Sequence, residues 1–553
     1  MADETKRDKY QRQVSAMREE RQSFISHYQE LAQFIQPRRG RFLITDRNKG
    51  DRRYNNIINS RATQAHRVAR SGMLAGIMSP ARPWVRFSTF DADLMEFGPV
   101  KNWLYKAETI QREIFNQSNL YNMAPVMLGE LLLFGTGAMS HVDDFDDVAR
   151  FYTHTAGSYM IAQDNNYRVR TFAHEFEMTV KQMVDEFGKD KCSQFVRDQY
   201  DKSNYNAWYP VTQFIQANDD YRESSKLSKY KAFSSCYYEP GNNDKDQFLR
   251  EKGFEEFPVY CPRWDVTGED IYGTDCPAMT SLGDIKSLQV EEKRKAQAID
   301  KMVNPPLHGP ASAKNVSALP GGYTGFDGDP SSQGIRPIYM VSPQVQELMA
   351  DIQATERRIE TSFFVDLFLA ISTMEGIQPR NQFDLMQRNE ERLLQLGPVL
   401  ERMHGEFLAP LVDRTFNQMV RANLLPPAPP ELEGKELKVN FISTLAMAQR
   451  AVAVGGIDRL AAFVGGLAKA GFAQTLDKFD ADQAVDEYAN AIGVPPTIVV
   501  PDDAVAQIRA DRAQQQQQEQ AMQMAQQGAN TAKMLSDAKT DGKNALTDLT
   551  GGA

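Results

Sequence analysis

The stretch Ser281-Leu-Gly-Asp-Ile-Lys-Ser-Leu-Gln-Val-Glu-Glu-Lys-Arg-Lys-Ala-Gln-Ala-Ile-Asp-Lys-Met-Val-Asn304 decides how the rest of the chain reads. Ile285, Leu288, Ala296, Ile299 and Met302 recur at helical spacing, Ser281-Leu-Gly-Asp284 resembles a capping-box start, and Asn304-Pro305-Pro306 stops the pattern. At 1.5 Å per residue these 24 residues make a rod of ~36 Å. Residues 305–340 then hold six Gly and six Pro, so they belong to a loop-rich excursion and to neither flanking helix. Ser342-Pro343 restarts a helix, with Ser as N-cap, Pro at the first helical position, and Val345, Leu348, Met349, Ile352, Ile359 and Phe363 as its buried stripe. Two long helices follow, with a compact insert between their far ends.

On the N-terminal side, residues 8–36 (Phe24, Tyr28, Leu31, Ile35) and 57–78 have helical spacing, and Gly72, Gly76 and Ser79-Pro80 close the second helix. Between Pro37 and Arg70 lie ten Lys/Arg against Asp46 and Asp51, a local net charge of +8. Arg38, Arg39, Arg41, Arg52 and Arg53 form its centre, either a solvated or subunit-contact face or a phosphate-facing patch. Residues 98–137 contain two helices, the second from Tyr121 to Phe134 and ending at Gly135-Thr136-Gly137. Without a third glycine and a preceding strand, that ending is no dinucleotide loop. From 148 to 265, β-branched and aromatic runs (150–153, 167–172, 211–216, 229–238, 257–264) predict antiparallel strands interrupted by one helix near 176–187.

On the C-terminal side, 370–380 is a short break, and a helical pattern runs from Asn381 to about Leu425, with kinks expected at Gly397-Pro398 and Pro410. Residues 437–442 predict a strand and 444–493 small-residue helices. The segment 514–527 carries nine Gln, a polar helix that fades after Gly528. There is no convincing internal repeat.

With 553 residues, the length suggests three or four folding units. The net charge of −10 (63 Lys+Arg against 73 Asp+Glu) excludes the basic signature of a protein that grips nucleic acid along its backbone. The N-terminus lacks an apolar export segment and the run from Pro125 to Met139 is short and carries Glu130, so a cytoplasmic or particle-borne protein without a membrane partner is expected. Cys192, Cys236, Cys261 and Cys276 are far apart and fit reduced thiols, with no metal implied. P-loop, HExxH, GxSxG and kinase motifs are missing, and the seven His lack metal-ligand spacing, so no cofactor and no catalytic residue is expected. Were the chain a DNA-processing enzyme, Asp143, Asp144, Asp146 and Asp147 would be the first carboxylates to examine, although an acidic surface turn accounts for them.

Four blocks in order resemble the portal, or head-to-tail connector, proteins of short-tailed bacteriophages across roughly residues 10–425. They are Ser71-Gly-Met-Leu-Ala-Gly-Ile-Met-Ser-Pro-Ala-Arg-Pro-Trp-Val-Arg-Phe87; Pro262-Arg-Trp264 with Gly268-Glu-Asp-Ile-Tyr-Gly273 and Pro277; Leu282-Gly-Asp-Ile-Lys-Ser-Leu288; and Arg392-Leu-Leu-Gln-Leu-Gly-Pro-Val-Leu-Glu-Arg402 with Pro410-Leu-Val-Asp-Arg-Thr-Phe416. Asn381-Gln-Phe-Asp384 departs from the Thr-x-x-Glu common in that family. The resemblance implies an α+β, predominantly helical portal fold. Its parts would be a wing at 1–280 and 381–443, stem helices at 281–304 and 342–369, a clip at 305–341, a tunnel loop at 370–380, a crown at 444–500 and a Gln-rich barrel helix with a tail at 501–553.

It also implies a dodecameric virion component at one capsid vertex, through which double-stranded DNA is packaged and ejected. The implied partners are further copies of the chain, the terminase large subunit, tail adaptor and tail proteins, and the major capsid and scaffold proteins. A tail adaptor or an internal head protein is the alternative within phage structural proteins. The tip nearest DNA would be Thr373, Met374, Glu375 and Gly376. Among the stem residues Lys286, Lys293, Lys295 and Lys301, either a bore-facing ring or subunit salt bridges are expected. Tyr323, Phe326 and Tyr339 would anchor a clip partner or form the clip's own small core.

Overall fold

Helices dominate the computed structural model, which describes residues 5–43, 45–46, 50, 52–91, 94, 97–144, 148–242, 244, 247–304, 307–308, 336–337, 345–373, 390–432, 434–435, 437–442, 444–492, 494, 498–500 and 502–537. The helices are α1 (Lys6–Ile35), α2 (Arg61–Met78), α3 (Gly98–Gln117), α4 (Leu120–Phe134), α5 (Val180–Phe187), α6 (Gln194–Asp201), α7 (Pro277–Val303), α8 (Val345–Ser362), α9 (Val365–Thr373), α10 (Glu390–Met403), α11 (Ala409–Arg421), α12 (Thr444–Lys469), α13 (Ala481–Ile492) and α14 (Asp502–Asp537). The strands are β1 (Val85–Thr89), β2 (Ala138–Asp144), β3 (Val148–His154), β4 (Tyr159–Gln163), β5 (Val169–Thr179), β6 (Trp208–Ala217), β7 (Phe233–Tyr238), β8 (Arg250–Phe254), β9 (Val259–Tyr260), β10 (Leu307–His308), β11 (Arg336–Pro337) and β12 (Leu437–Phe441). The fold is α+β and mostly helical.

The chain divides into two compact units, Met1–Arg86 with Ala107–Pro426 and Val439–Phe463, and Phe87–Lys106 with Pro427–Lys438 and Val464–Ala553. That is fewer than length alone suggests, because α1 packs on β4 and also on α2, α4 and α7, so sheet and helices share one core. In the first unit, β4-β5-β6-β7-β8 form an antiparallel sheet and β3-β2-β9 a smaller one. Thr5 starts α1 by accepting the Asp8 N–H at 3.2 Å. Tyr10, Val14 and Met17, one helical turn apart, then cover Met160, Ala173, Phe214, Cys236 and Tyr238 on one sheet face. Arg7 is 2% exposed, and its guanidinium donates to the carbonyls of Glu239 at 2.8 Å and Asn242 at 2.9 Å, contacts that offset part of the cost of burying its charge.

Several expectations need correction. The helix near 176–187 is the end of β5 followed by α5: Phe176 and Met178 alternate with Glu175 and Glu177 at strand period, and Thr179 then forms a capping box with Gln182. α7 starts at Pro277, four residues before the expected capping box, because a proline at the first helical turn needs no N–H partner. Ser281 lies inside the helix, with its hydroxyl donating to the Pro277 carbonyl at 2.6 Å. The helix expected over 342–369 breaks at Phe364, whose φ is +53°, and α9 runs on to Thr373, into the segment expected to be the tunnel loop. Of its expected stripe, Ile352, Ile359 and Phe363 are buried, whereas Met349 is 47% exposed. On α7, Ile285 and Leu288 are buried while Ala296, Ile299 and Met302 are exposed. Pro398 lies within α10. The interruption falls at His404–Leu408, a π turn closed by the Ala409 N–H donating to the His404 carbonyl, immediately before Pro410 removes a ladder donor. β10 and β11 pair antiparallel and bring the two ends of the Gly/Pro-rich excursion together.

Gly135-Thr136-Gly137 serves as a joint. Gly135 ends α4 in the left-handed region at φ +73°, the Gly273 N–H donates to Thr136 Oγ1 at 2.8 Å, and a Cβ on Gly273 would lie 2.1 Å from the Gly135 carbonyl oxygen. Gly72 does not close α2; it lies inside it and is buried. A Cβ there would lie 2.2 Å from Phe368 Cβ, so α9 docks on α2 only because that position is bare. Gly72→Ala is expected to cost about 1–3 kcal/mol of stability through overpacking, read as a lower midpoint in chemical denaturation.

Candidate functional site

The α7–α8 pair is antiparallel: Asp284 near the start of α7 accepts from Arg358 Nε near the end of α8 at 3.0 Å. Residues 58–61 clasp the pair to the start of α2. Gln289 is 5% exposed, its Oε1 accepts the N–H groups of Ile58 at 2.7 Å and Asn59 at 2.8 Å, and its Nε2 donates to the Asn59 carbonyl at 3.1 Å. Asn59 Nδ2 donates to Glu292 of α7 at 3.1 Å and to Glu356 of α8 at 2.9 Å, while its Oδ1 accepts the Arg61 N–H at 2.8 Å and begins α2. Arg61 closes the group by pairing with Glu360. One amide side chain therefore ties both long helices to the body. The sequence signal was Gln289 itself, a polar residue beside Leu288 on the buried side, and it was missed.

Above this clasp, α2 packs on α4, α8 and α9. His66 is fully buried in that packing, hydrogen-bonded through Nε2 to the Gly129 carbonyl at 2.8 Å, with its ring edge-on to Phe363 at 6.3 Å. Burial, ahead of the nearby Arg39, Arg70 and Arg67 charges, lowers its pKa to about 4. Arg39 pairs with Glu130, which is 1% exposed, at 3.2 Å, and Glu130 also accepts from Thr155 Oγ1 and the Ala156 N–H, each at 3.0 Å. Arg263, from the second block of the resemblance, grips Glu406 of the π turn through Nε at 3.1 Å and its own N–H at 2.8 Å.

The expected site residues scatter over these elements. Of the basic patch, Arg39 is held by Glu130 and Arg53 by Asp46, Arg41 lies beside the five-stranded sheet, Arg38 has partners of its own, and Arg52 is exposed. Asp46 is already counted in the net of +8, so the stretch is further neutralised only by acids of other segments, Glu130 against Arg39 and Glu360 against Arg61. On the stem, Lys286 pairs with Glu30 at 2.6 Å and Lys295 with Glu292 at 2.5 Å, whereas Lys293 and Lys301 are exposed without an ion pair among the described residues. Thr373 is the last residue of α9; Met374, Glu375, Gly376, Tyr323, Phe326, Tyr339 and the Asn381–Asp384 segment lie outside the described residues. Asp143 accepts from Arg414 at 3.3 Å and is also bound by Gln418, Asp144 lies on β2, and Asp146 and Asp147 lie outside the described residues. No group of His, Cys, Asp and Glu that could hold a metal ion occurs among the described residues, and all four cysteines are buried free thiols. No described helix is long and apolar enough to cross a membrane.

The family model for bacteriophage head to tail connecting proteins matches residues 7–499. Over its whole length the chain is 44% identical to the portal protein of Salmonella phage epsilon15, covering 99% of that protein, and 45% identical to the probable portal protein of Bordetella phage BPP-1, again covering 99%. Among solved structures it is similar to a chain in the virion of a native gene transfer agent particle (TM-score 0.34, 12% identity, 77% of this chain and 94% of that one). A second such chain is in the neck of the empty particle (TM-score 0.32, 12% identity, 77% and 100%).

Replacing Gln289 by Ala leaves two backbone N–H groups of the clasp without an acceptor and is expected to cost about 1–3 kcal/mol. Limited proteolysis should then cut faster between residues 50 and 60. His66 is buried in its neutral form. The unfolded chain therefore binds its proton more readily, and the stability from this residue is complete above pH 6.5 and lost as pH falls toward about 4. Denaturation midpoints followed across that window should fall less steeply with acid in His66→Gln than in the parent.

Proposed function

The chain belongs to the bacteriophage head to tail connecting family, and on that premise we propose that its copies close into a dodecameric ring at one capsid vertex. DNA passes through the ring during packaging and ejection. The observation that carries this reading is the 44% identity to a phage portal protein with 100% of the chain covered. In this reading α7 and α8 form the stem, 305–341 the clip that meets the terminase large subunit and afterwards the tail proteins, and the chain that follows α9, to residue 380, the tunnel loop. Residues 1–280 and 381–443 form the wing against capsid and scaffold proteins, 444–500 the crown and 501–553 a barrel helix with its tail. The ring is a virion component built in the host cytoplasm, and its role is mechanical rather than enzymatic.

Two physical features support assembly. The far half of α7 exposes Val290, Ile299, Met302 and Val303, and α8 exposes Met349, a set of large apolar side chains that a neighbouring copy would cover. In the second unit Phe472, Val485, Ile498, Ile508, Met522 and Met524 are likewise exposed. Charge supports passage rather than capture. At −10 per chain, a twelve-membered ring carries roughly −120, and a mainly acidic wall repels phosphates that must slide. With Lys286 and Lys295 occupied within the chain, Lys293 and Lys301 remain to meet DNA phosphates or a neighbour's carboxylates.

Light scattering on the purified protein should give about 750 kDa for twelve copies of 62.4 kDa, and negative-stain micrographs should show rings with a central hole. A stable monomer or dimer would overturn the reading. Ile299→Asp combined with Val303→Asp should reduce the ring fraction while leaving the circular dichroism of the subunit unchanged.

A further inference from the structure

The five-stranded sheet presents an anomaly on the face turned away from α1. At one end of that face Phe172 and Ile215 pack with Ala138, Val259, Cys261 and Tyr272. At the other end Val211 packs with Val180, Met183, Cys192, Val196 and Leu249. Strand alternation requires the residues between these clusters to face the same way, and a continuous core would make them apolar. Instead the register sets His174, Gln213, Tyr237 and Arg250 directly opposite one another across β5, β6, β7 and β8, with Ser235 opposite Lys252 alongside. The smaller sheet faces this row with Ser140 and His154, hydrogen-bonded at 2.6 Å, and the rings of His154 and His174 lie 4.3 Å apart.

Between the two sheets the polar row leaves a cavity of about 990 Å³. That is ample for a small molecule, whose sites measure ~300–1,000 Å³. Its charges do not cancel. Arg250 is bound to Glu186, and Asp143 to Arg414 and Gln418. Arg41 and Lys252 also line the cavity and make no ion pair among the described residues. Burial keeps both imidazoles neutral, each with one donor and one acceptor nitrogen; Ser140 engages Nε2 of His154 and Gln213 Nε2 donates to Ser235 Oγ at 3.3 Å, so His154 Nδ1, the His174 ring and the Gln213 carbonyl oxygen are the polar atoms left to face a ligand. A polar, roomy gap with surplus positive charge, framed by two dry clusters, is complementary to a small polar anion.

We propose that this cavity is a binding site for a small molecule bearing a phosphate or carboxylate group, held by Arg41 and Lys252 and oriented by His154, His174 and Gln213. The site is separate from the channel elements and does not depend on the proposed function. Isothermal titration of the assembled protein with inorganic phosphate, adenosine monophosphate and succinate separates the two anion classes. Saturable binding of at least one of them, at one site per chain, is expected. Arg41→Ala and Lys252→Ala should each weaken it about tenfold, the loss of one charge-assisted contact. Lys252 is exposed, so Lys252→Glu keeps the fold and should abolish binding, with an unchanged thermal midpoint as the control for folding. Absence of binding by all three probes at millimolar concentration overturns the proposal. So does binding that is as tight in Lys252→Glu as in the parent.

Discussion

The close approach of α9 to α2 at Gly72 is the contact on which the helical half of the first unit depends. With Phe368 Cβ only 2.2 Å from where a side chain would begin, any larger residue forces the helices apart. That docking in turn requires the chain to turn sharply after α8. Phe364 makes the turn at φ +53°, a conformation L-residues adopt only when the surroundings over-determine it. The surroundings do so here: Phe363 on one side of the turn and Phe368 on the other are both essentially buried, and His66 fills the space beneath. Strain at one backbone position is offset by burying two aromatic rings, each able to contribute about 1.5–3 kcal/mol.

Where the sequence was legible, the reason is periodicity. α1, α2, α4 and α7 carry apolar residues every third or fourth position over fifteen residues or more, and their observed bounds lie within four residues of the expected ones. β4 and β8 were missed because they are five residues long and owe their place to register with β5 and β7 rather than to their own pattern. The false capping box at Ser281 shows the complementary limit. Its residue types were right, but Pro277 had already started the helix, and a serine one turn in can donate back to the carbonyl before it.

The polar joints were the least legible part. Asn59, Gln289, Glu292 and Glu356 lie on three different segments, and no local pattern shows that one amide will serve two helices. Much the same holds for Arg39 and Glu130, which are 91 positions apart, and for Arg263 and Glu406, 143 apart. A reading by charge density saw a basic patch between Pro37 and Arg70. The fold places Glu130 and Glu360 against two of its arginines, so part of that density is internal structure.

This redistribution sharpens what the net charge of −10 means. A basic stretch counted in sequence contributes to an external field only with the cations that remain in solvent, and ion pairs at 3–4 Å cancel beyond a Debye length of ~10 Å at 0.1 M salt. With Arg39 and Arg61 paired to acids from outside the stretch, the exposed surface there is less basic than the local count of +8 implies. Long-range repulsion of phosphate then coexists with two exposed cations of α7, Lys293 and Lys301, that make no ion pair among the described residues. In the channel proposed above, a strand moving past such a surface would meet weak, discrete contacts on an otherwise repulsive wall, and sliding would stay fast because no contact is deep enough to hold it.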